Sequence, residues 1–447
     1  LFIKYHFLVC QMKKLLGILV LGLLWCNVSV AEKYLDAYTL DKKKIENEVI
    51  NAVSEKGQKL LKKYKNWEGN VENYKVLKSG ITFFSAKELE RQRNKNPKNF
   101  SKNCFYTRSI LDLQPTLEIK GHMWKPGGHY LSQANYTAEY NQTMNYGVQN
   151  WLKKGKKDSL NEIKKLLLNW ANGRSFSHLY PDTDRQGGME WGYVDTFWNL
   201  RATITNIIIA YAVLSELEIF TQKEKKIVHD WLEFLVAASA SQGPYDGTKS
   251  SISAGSHTEL QRHFVYTLWG VVDENDKYFQ AGIKGFLISL ARTRKDGSHK
   301  YEVRNVKDNS KRHQRGLSKM NQVVGFMVMI AEVAKLQGYD LYSIETKKKV
   351  NLHKMIEFLS RGWSDKNIKL SYLISKNQKI NFAYKLAGNN ASIAWAIPYL
   401  ANNFQTNGHK IITKWLASLS SDRKNYINDL GFGGSQACYY AASIDIN

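Results

Sequence analysis

Apolar residues recur at three- and four-residue spacings along most of this chain. Polar, glycine-bearing stretches such as Ser241-Gln242-Gly243-Pro244-Tyr245-Asp246-Gly247 interrupt them. A period near 3.6 puts recurring apolar residues on one side of a helix. The pattern predicts helices over 136–154, 159–172, 196–218, 223–239, 258–272, 278–292, 321–336, 351–360, 391–402 and 410–419, with 431–446 as extended chain. Only 6 prolines stand in the way of so many helices, so the chain is expected to be all-α. Helices alternating with such connections suit an incomplete (α/α) toroid, or barrel, of antiparallel helix pairs. No low-complexity linker and no repeat at a solenoid period divides it.

Three regions follow: 1–31, an upstream extension plus a secretory signal peptide; 32–103, an N-terminal helical arm; and 104–447, the toroid. The signal is carried by Lys13 and Lys14, an apolar stretch over 15–25 and a Ser29-Val30-Ala31 ending, with translation starting at Met12. A periplasmic or secreted protein is the expectation. The apolar stretch is too short to span a bilayer and no later segment reads as a span, so no stable membrane insertion is expected after cleavage. Cys10 and Cys26 fall in or before the signal, which leaves Cys104 and Cys438 either bonded to each other or as two buried thiols. No Cys/His spacing suggests a structural zinc site, and neither a metal nor a cofactor is expected.

Charge narrows the partner. The formal balance is +24, residues 1–31 contribute three lysines and no acid, and 24 − 3 leaves +21 on the exported chain. Such a chain attracts polyanions. The export signal and the lack of a nucleic-acid motif favour an anionic polysaccharide over nucleic acid. Runs such as Lys42-Lys43-Lys44 and Lys347-Lys348-Lys349 also suit ordinary solvated helix surface. A monomer is expected.

The stretch 255–315 holds the densest candidate chemistry. Gly255-Ser256-His257 opens a helix on which Gln261 lies one turn after His257, Glu259 pairs in register with His263, and Arg262 falls between. Beyond the next helix come Tyr301-Glu302-Val303 and then Arg312-His313-Gln314-Arg315-Gly316-Leu317.

In their order, these stretches resemble the bacterial alginate lyases, the polysaccharide lyase family 5-like enzymes that act on poly-mannuronate. The resemblance extends through Leu166-Leu167-Leu168-Asn169-Trp170-Ala171, Met327-Val328-Met329-Ile330-Ala331-Glu332, Trp395-Ala396-Ile397-Pro398-Tyr399 and Gly431-Phe432-Gly433-Gly434, from about Tyr136 to the C-terminus. It implies an all-helical toroid that cuts a uronate polymer by β-elimination. The family's helix-opening catalytic histidine falls on His257 and its arginine on Arg315. Two positions depart: the asparagine before the histidine is Ser256, and the tyrosine seven residues after the arginine is Gln322.

Elimination needs a cation on the C6 carboxylate, a base for the C5 proton and an acid for the leaving O4. Arg315 suits the carboxylate through paired hydrogen bonds, with Gln322, Gln261, Ser256, Arg262 and His313 as further binding candidates. His257 suits the base because imidazole titrates near working pH. The acid is sought among Tyr130, Tyr193 and Tyr301. Tyr130 comes first, because His122-Met123-Trp124-Lys125-Pro126-Gly127-Gly128-His129-Tyr130 reads as a lid carrying Trp124 and Lys125 to the sugar.

Two other readings stand beside this one. Asp182, Asp184, Glu190 and Asp195 surround Trp191-Gly192-Tyr193, and a toroidal glycoside hydrolase uses two such carboxylates; Glu259 is another candidate. A non-catalytic polysaccharide-binding protein would explain the absent tyrosine.

Overall fold

The structure, a computed structural model, describes residues 35–51, 71–104, 143–179, 194–240, 256–303, 316–364, 393–418 and 428–443. The arm contributes α1 (Lys42–Asn51), α2 (Ala86–Lys95) and α3 (Pro97–Asn103). Four helix pairs follow: α4 (143–154) with α5 (Asp158–Asn172), α6 (Val194–Glu216) with α7 (Gln222–Ala240), α8 (His257–Val272) with α9 (Asp276–Ala291), and α10 (Gly316–Leu336) with α11 (Leu352–Ser364). Short helices α12 (Ala396–Ala401), α13 (Asn407–Ser418) and α14 (Gln436–Tyr439) close the chain. Strands among the described residues are two antiparallel two-residue pairs, β1 (Leu35–Asp36) with β2 (His178–Leu179) and β3 (Asn428–Asp429) with β4 (Gly434–Ser435). The expected all-α toroid is the fold.

Contacts fix how the pairs run. Arg201, in the second turn of α6, donates to Thr258 O at the start of α8 and to Ser239 O at the end of α7. At the other end, Gly80 N–H donates to Val271 O of α8, while Gln337, just after α10, holds the neighbouring Leu77 and Lys78 N–H groups. So α6, α8 and α10 run parallel, with their N-termini at one end. Their partners run back: Asp273, which ends α8, meets His229 near the start of α7, and Gly362, late in α11, meets Leu317 at the start of α10.

The inner helices are apolar around most of their circumference because protein encloses them, as the binary pattern of a buried helix requires. In α10 the whole run from Val323 to Ala334 is buried, Glu332 included. Leu317–Leu336 is long and apolar enough to cross a membrane, contrary to the expectation that no such segment follows the signal. Its side chains are, however, packed into the core. Tight crossings rest on small residues: a Cβ at Gly282 of α9 would lie 2.9 Å from His263 O of α8, and one at Gly270 would lie 2.8 Å from Phe279 Cα.

Three departures from the sequence reading have physical causes. The final segment is not extended. Gly433 and Gly434 turn it at φ +85° and +98°, Gln436 Nε2 donates to Phe432 O, and α14 follows. It fits between the inner helices, Phe432 on Gly325 of α10, Gly433 against Ile209 of α6 and Gly434 against Asn145 of α4. The helix expected over 391–402 shrinks to α12, whose third residue is Pro398, a residue a helix accepts in its first turn. And α10 starts at Gly316 because Leu317 and Met320 already carry the buried pattern.

Cys104 and Cys438 form a disulfide, resolving the open pairing, and tie the end of α3 to α14. The arm shares the toroid's core. Ile45, Val49, Phe83, Phe84 and Phe100 belong to the same apolar cluster as the inner helices, and burying one such side chain contributes about 1.5–3 kcal/mol.

Candidate active site

Helix α8 opens where it does because Ser256 caps it. Its backbone is extended (φ −70°, ψ 167°) and its Oγ accepts the Glu259 N–H at 3.4 Å. His257 is therefore the first helical residue, and its N–H has no intrahelical acceptor. Glu302 supplies one. Its Oε1 accepts the His257 backbone N–H at 3.0 Å and lies 2.9 Å from His257 Nδ1. Across the ring, Nε2 lies 3.4 Å from Thr258 Oγ1. The His257 side chain is 18% exposed and that of Glu302 only 2%, so the imidazole reaches solvent and the carboxylate backs it from inside.

The loop after α9 is built to hold that carboxylate. Arg294 N–H donates to Ser298 O, Arg294 Nη1 donates to Val303 O at 2.8 Å, and Val303 N–H donates to His299 O. Gly297 (φ +92°) sits against α11, where a Cβ would lie 2.9 Å from the Lys354 carbonyl carbon and from Phe358 Cβ. Burial alone would raise the Glu302 carboxyl. The charge and hydrogen bond of His257 outweigh it and hold the group at about 2. His299 is wholly buried and its Nδ1 accepts the Glu302 N–H at 3.4 Å. Burial pushes its imidazole down to about 4, so it is neutral with its proton on Nε2.

Beneath this pair lies a buried charge network. Glu259 and Arg262 form an ion pair on one face of α8, and Arg201 reaches in from α6. Burial, then the neighbouring Arg262, push Arg201 down to about 10, which leaves it cationic at neutral pH. His263 is held neutral by burial, at about 3, with Nδ1 2.8 Å from Ala281 O of α9.

Of the residues expected to form the site, His257 stands at the described centre. Ser256, Gln261 and Arg262 were expected to touch substrate. They are instead enclosed by protein: Ser256 is occupied as a cap, Arg262 with Glu259, and Gln261 is fully buried. Glu259, the hydrolase candidate, is committed to Arg262. Gln322 is half-buried in the second turn of α10, at the same end as His257, and Tyr301 is half-buried beside Glu302. Arg315, His313, Tyr130, Trp124, Lys125, Tyr193 and the acidic residues Asp182, Asp184 and Glu190 lie outside the described residues, as does the side chain of Asp195. The sequence reading passed over Glu302 and His299 as site residues. Their signal was present, since Tyr301-Glu302-Val303 is one of the stretches that carry the resemblance. Among the described residues no His, Cys, Asp or Glu group is arranged to hold a metal.

A family model described as alginate lyase matches residues 85–368. Solved structures with the same architecture include alginate lyase A1-III from Sphingomonas species A1, at 14% identity over 83% of this chain and 99% of that one, with a TM-score of 0.62. Tyr-to-Phe and His-to-Ala variants of alginate lyase A1-III, each complexed with tetrasaccharide, match at 15% identity over 83% of this chain and 98% of theirs, both with a TM-score of 0.62. No match is found among curated proteins. The family match spans more than half of the chain, and the chain belongs to the alginate lyase family. At that level it is a lyase of acidic uronate polysaccharides.

Proposed function

We propose that this protein is an exported lyase that cleaves an alginate-, polymannuronate- or glucuronan-like chain by β-elimination, with His257 as the base. The observation that carries the reading is the partly exposed imidazole at the start of α8, backed by a buried carboxylate, in a chain of this family. His257 Nε2 takes the proton from C5, and the C–H electron pair forms the C4=C5 double bond. The C4–O4 bond breaks and O4 takes a proton from an acid, for which Tyr130 is the choice ahead of Tyr193 and Tyr301. Arg315, the residue before the first turn of α10, pairs with the C6 carboxylate and stabilises the charge that develops there. Trp124, Lys125, His313 and Gln322 complete substrate binding.

The long connections of the chain support this placement. Segments 180–193, 241–255 and 304–315 precede α6, α8 and α10 in the chain, so each leads to the helix end that presents His257. Tyr193 and Arg315 fall in two of these segments, directly before the first residues of α6 and α10. The disulfide supports export to an oxidising compartment, periplasmic or extracellular.

Ultraviolet absorbance on a panel of purified uronans tests the reading. The unsaturated product is conjugated with its carboxylate and absorbs. New reducing ends without absorbance would make the protein a hydrolase, and binding without shortening would make it a polysaccharide-binding protein.

A further inference from the structure

Resting on the lyase reading, we propose that Glu302 is the positioning residue of His257, a buried carboxylate that keeps the ring proton on Nδ1 and leaves Nε2 to act as the base. One oxygen, Oε1, contacts both the backbone N–H of His257 and its Nδ1. Fixing a side chain at both ends sets its rotamer and the direction of its far nitrogen. A neutral imidazole exchanges its proton between two nitrogens, and a base that works through Nε2 needs the proton on Nδ1. Once Nε2 has taken the C5 proton, the ring is a cation, and the adjacent carboxylate stabilises it.

The surroundings suit this task. His299 faces Glu302 as a neutral ring and supplies no competing counter-charge, while Arg294 is turned onto Ser298 Oγ and Val303 O. Arg361, from α11, donates to Asp296 O and thereby braces the loop. The imidazole of His257 is thus the partner that Glu302's Oε1 meets. A group serving only to cap α8 would need the backbone N–H alone, and a neutral amide would serve as well.

Two substitutions separate these roles. Glu302→Gln keeps an oxygen acceptor and removes the charge, while Glu302→Asp keeps the charge and shortens the reach. In Glu302→Gln, kcat is expected to fall by about 10²-fold or more while KM changes by less than about threefold. The acidic limb of the pH–rate profile moves to lower pH, because the imidazolium has lost its counter-charge. Glu302→Asp restores the limb and part of the rate. Independently of activity, long-range proton–nitrogen spectra of the full chain labelled at histidine show Nδ1 protonated on neutral His257 in the wild type and a mixed tautomer in Glu302→Gln. A pH profile and a tautomer unmoved by Glu302→Gln, with only thermal stability lowered, overturn the proposal in favour of a cap. A wild-type His257 protonated on Nε2 overturns it directly. If the wild type cleaves no uronan, the lyase reading fails and the tautomer spectrum decides the Glu302 assignment alone. Should Glu302→Gln not fold, the wild-type spectrum and Glu302→Asp decide it.

Discussion

At the scale of single residues, His257 separates chemistry from scaffold. Its ring is partly exposed, its backbone is held by Glu302, and it fills no core position, so His257→Ala leaves the helix cap in place. Turnover is expected to fall by roughly 10²–10⁴-fold, the usual contribution of a general base, with helical content and polymer binding retained. Near-normal rates of product absorbance in that variant would remove His257 from the mechanism. A second histidine gives a pH signature with no bearing on activity. Asp273 ends α8, where a carboxylate opposes the helix dipole, and His229 Nε2 meets it at 2.7 Å. The hydrogen bond and charge of Asp273 raise the His229 pKa above its ordinary 6.5. A raised folded value means that this stability is fully present below the unfolded value and is lost as pH rises through the folded one. Asp273→Asn should therefore lower Tm at pH 6 and hardly change it at pH 9, and an equal loss at both would show that the pair carries no charge. The residue scale is also where sequence served least. His257 was legible as a helix opener, but Ser256, Gln261 and Arg262 read as substrate-binding groups because periodicity does not show which face of a helix an inner layer encloses. Glu302 was missed because its partner lies 45 positions away and only folding brings the two together.

Most helices were legible at the scale of elements, since a buried stripe at a 3.6-residue period survives in any tertiary setting. The last segment was not, because its shape depends on two left-handed glycines and on contacts with α4, α6 and α10. Glycines also decide the pairing of α8 with α9. A Cβ at Gly285 would overlap the His263 ring, and one at Gly282 would overlap the Thr267 side chain. Gly285→Ala should destabilise the fold by about 1–3 kcal/mol, as overpacking does, although alanine favours an isolated helix. Because His263 lies on the helix that His257 opens, kcat should fall in the same variant. A more stable Gly285→Ala would show that the two helices can move apart without cost. The disulfide acts over a longer span. It joins residues 334 apart, and its loss in Cys438→Ser is expected to cost about 2–4 kcal/mol, measured by chemical unfolding under non-reducing conditions.

Considered as a whole molecule, the toroid has a direction. Its inner helices start together, so the partial positive charge of several helix N-termini falls at the end that carries His257, Gln322 and the residue following Arg315. The formal charge of the chain, +24 with residues 1–31 and +21 without them, gives the molecule a net field of the same sign. A uronate polymer carries a carboxylate on every sugar, so the field acts on its whole length, while in the proposed mechanism Arg315 and His257 act on one sugar. The two contributions respond differently to salt. Attraction through the general field is screened over a Debye length of about 8 Å at physiological ionic strength, whereas a paired guanidinium–carboxylate contact in a partly enclosed site is screened much less. Raising salt from about 50 mM to about 500 mM should therefore raise KM on a polymeric substrate by roughly tenfold or more and change kcat little. A short oligouronate spans less of the field and should show a weaker salt dependence than the polymer. Arg315→Lys keeps the field and loses the paired grip, so it should lower kcat at every salt concentration and leave the slope of KM against salt unchanged. If the lysine variant instead changes that slope and spares kcat, Arg315 belongs to the general field and another group holds the reacting carboxylate.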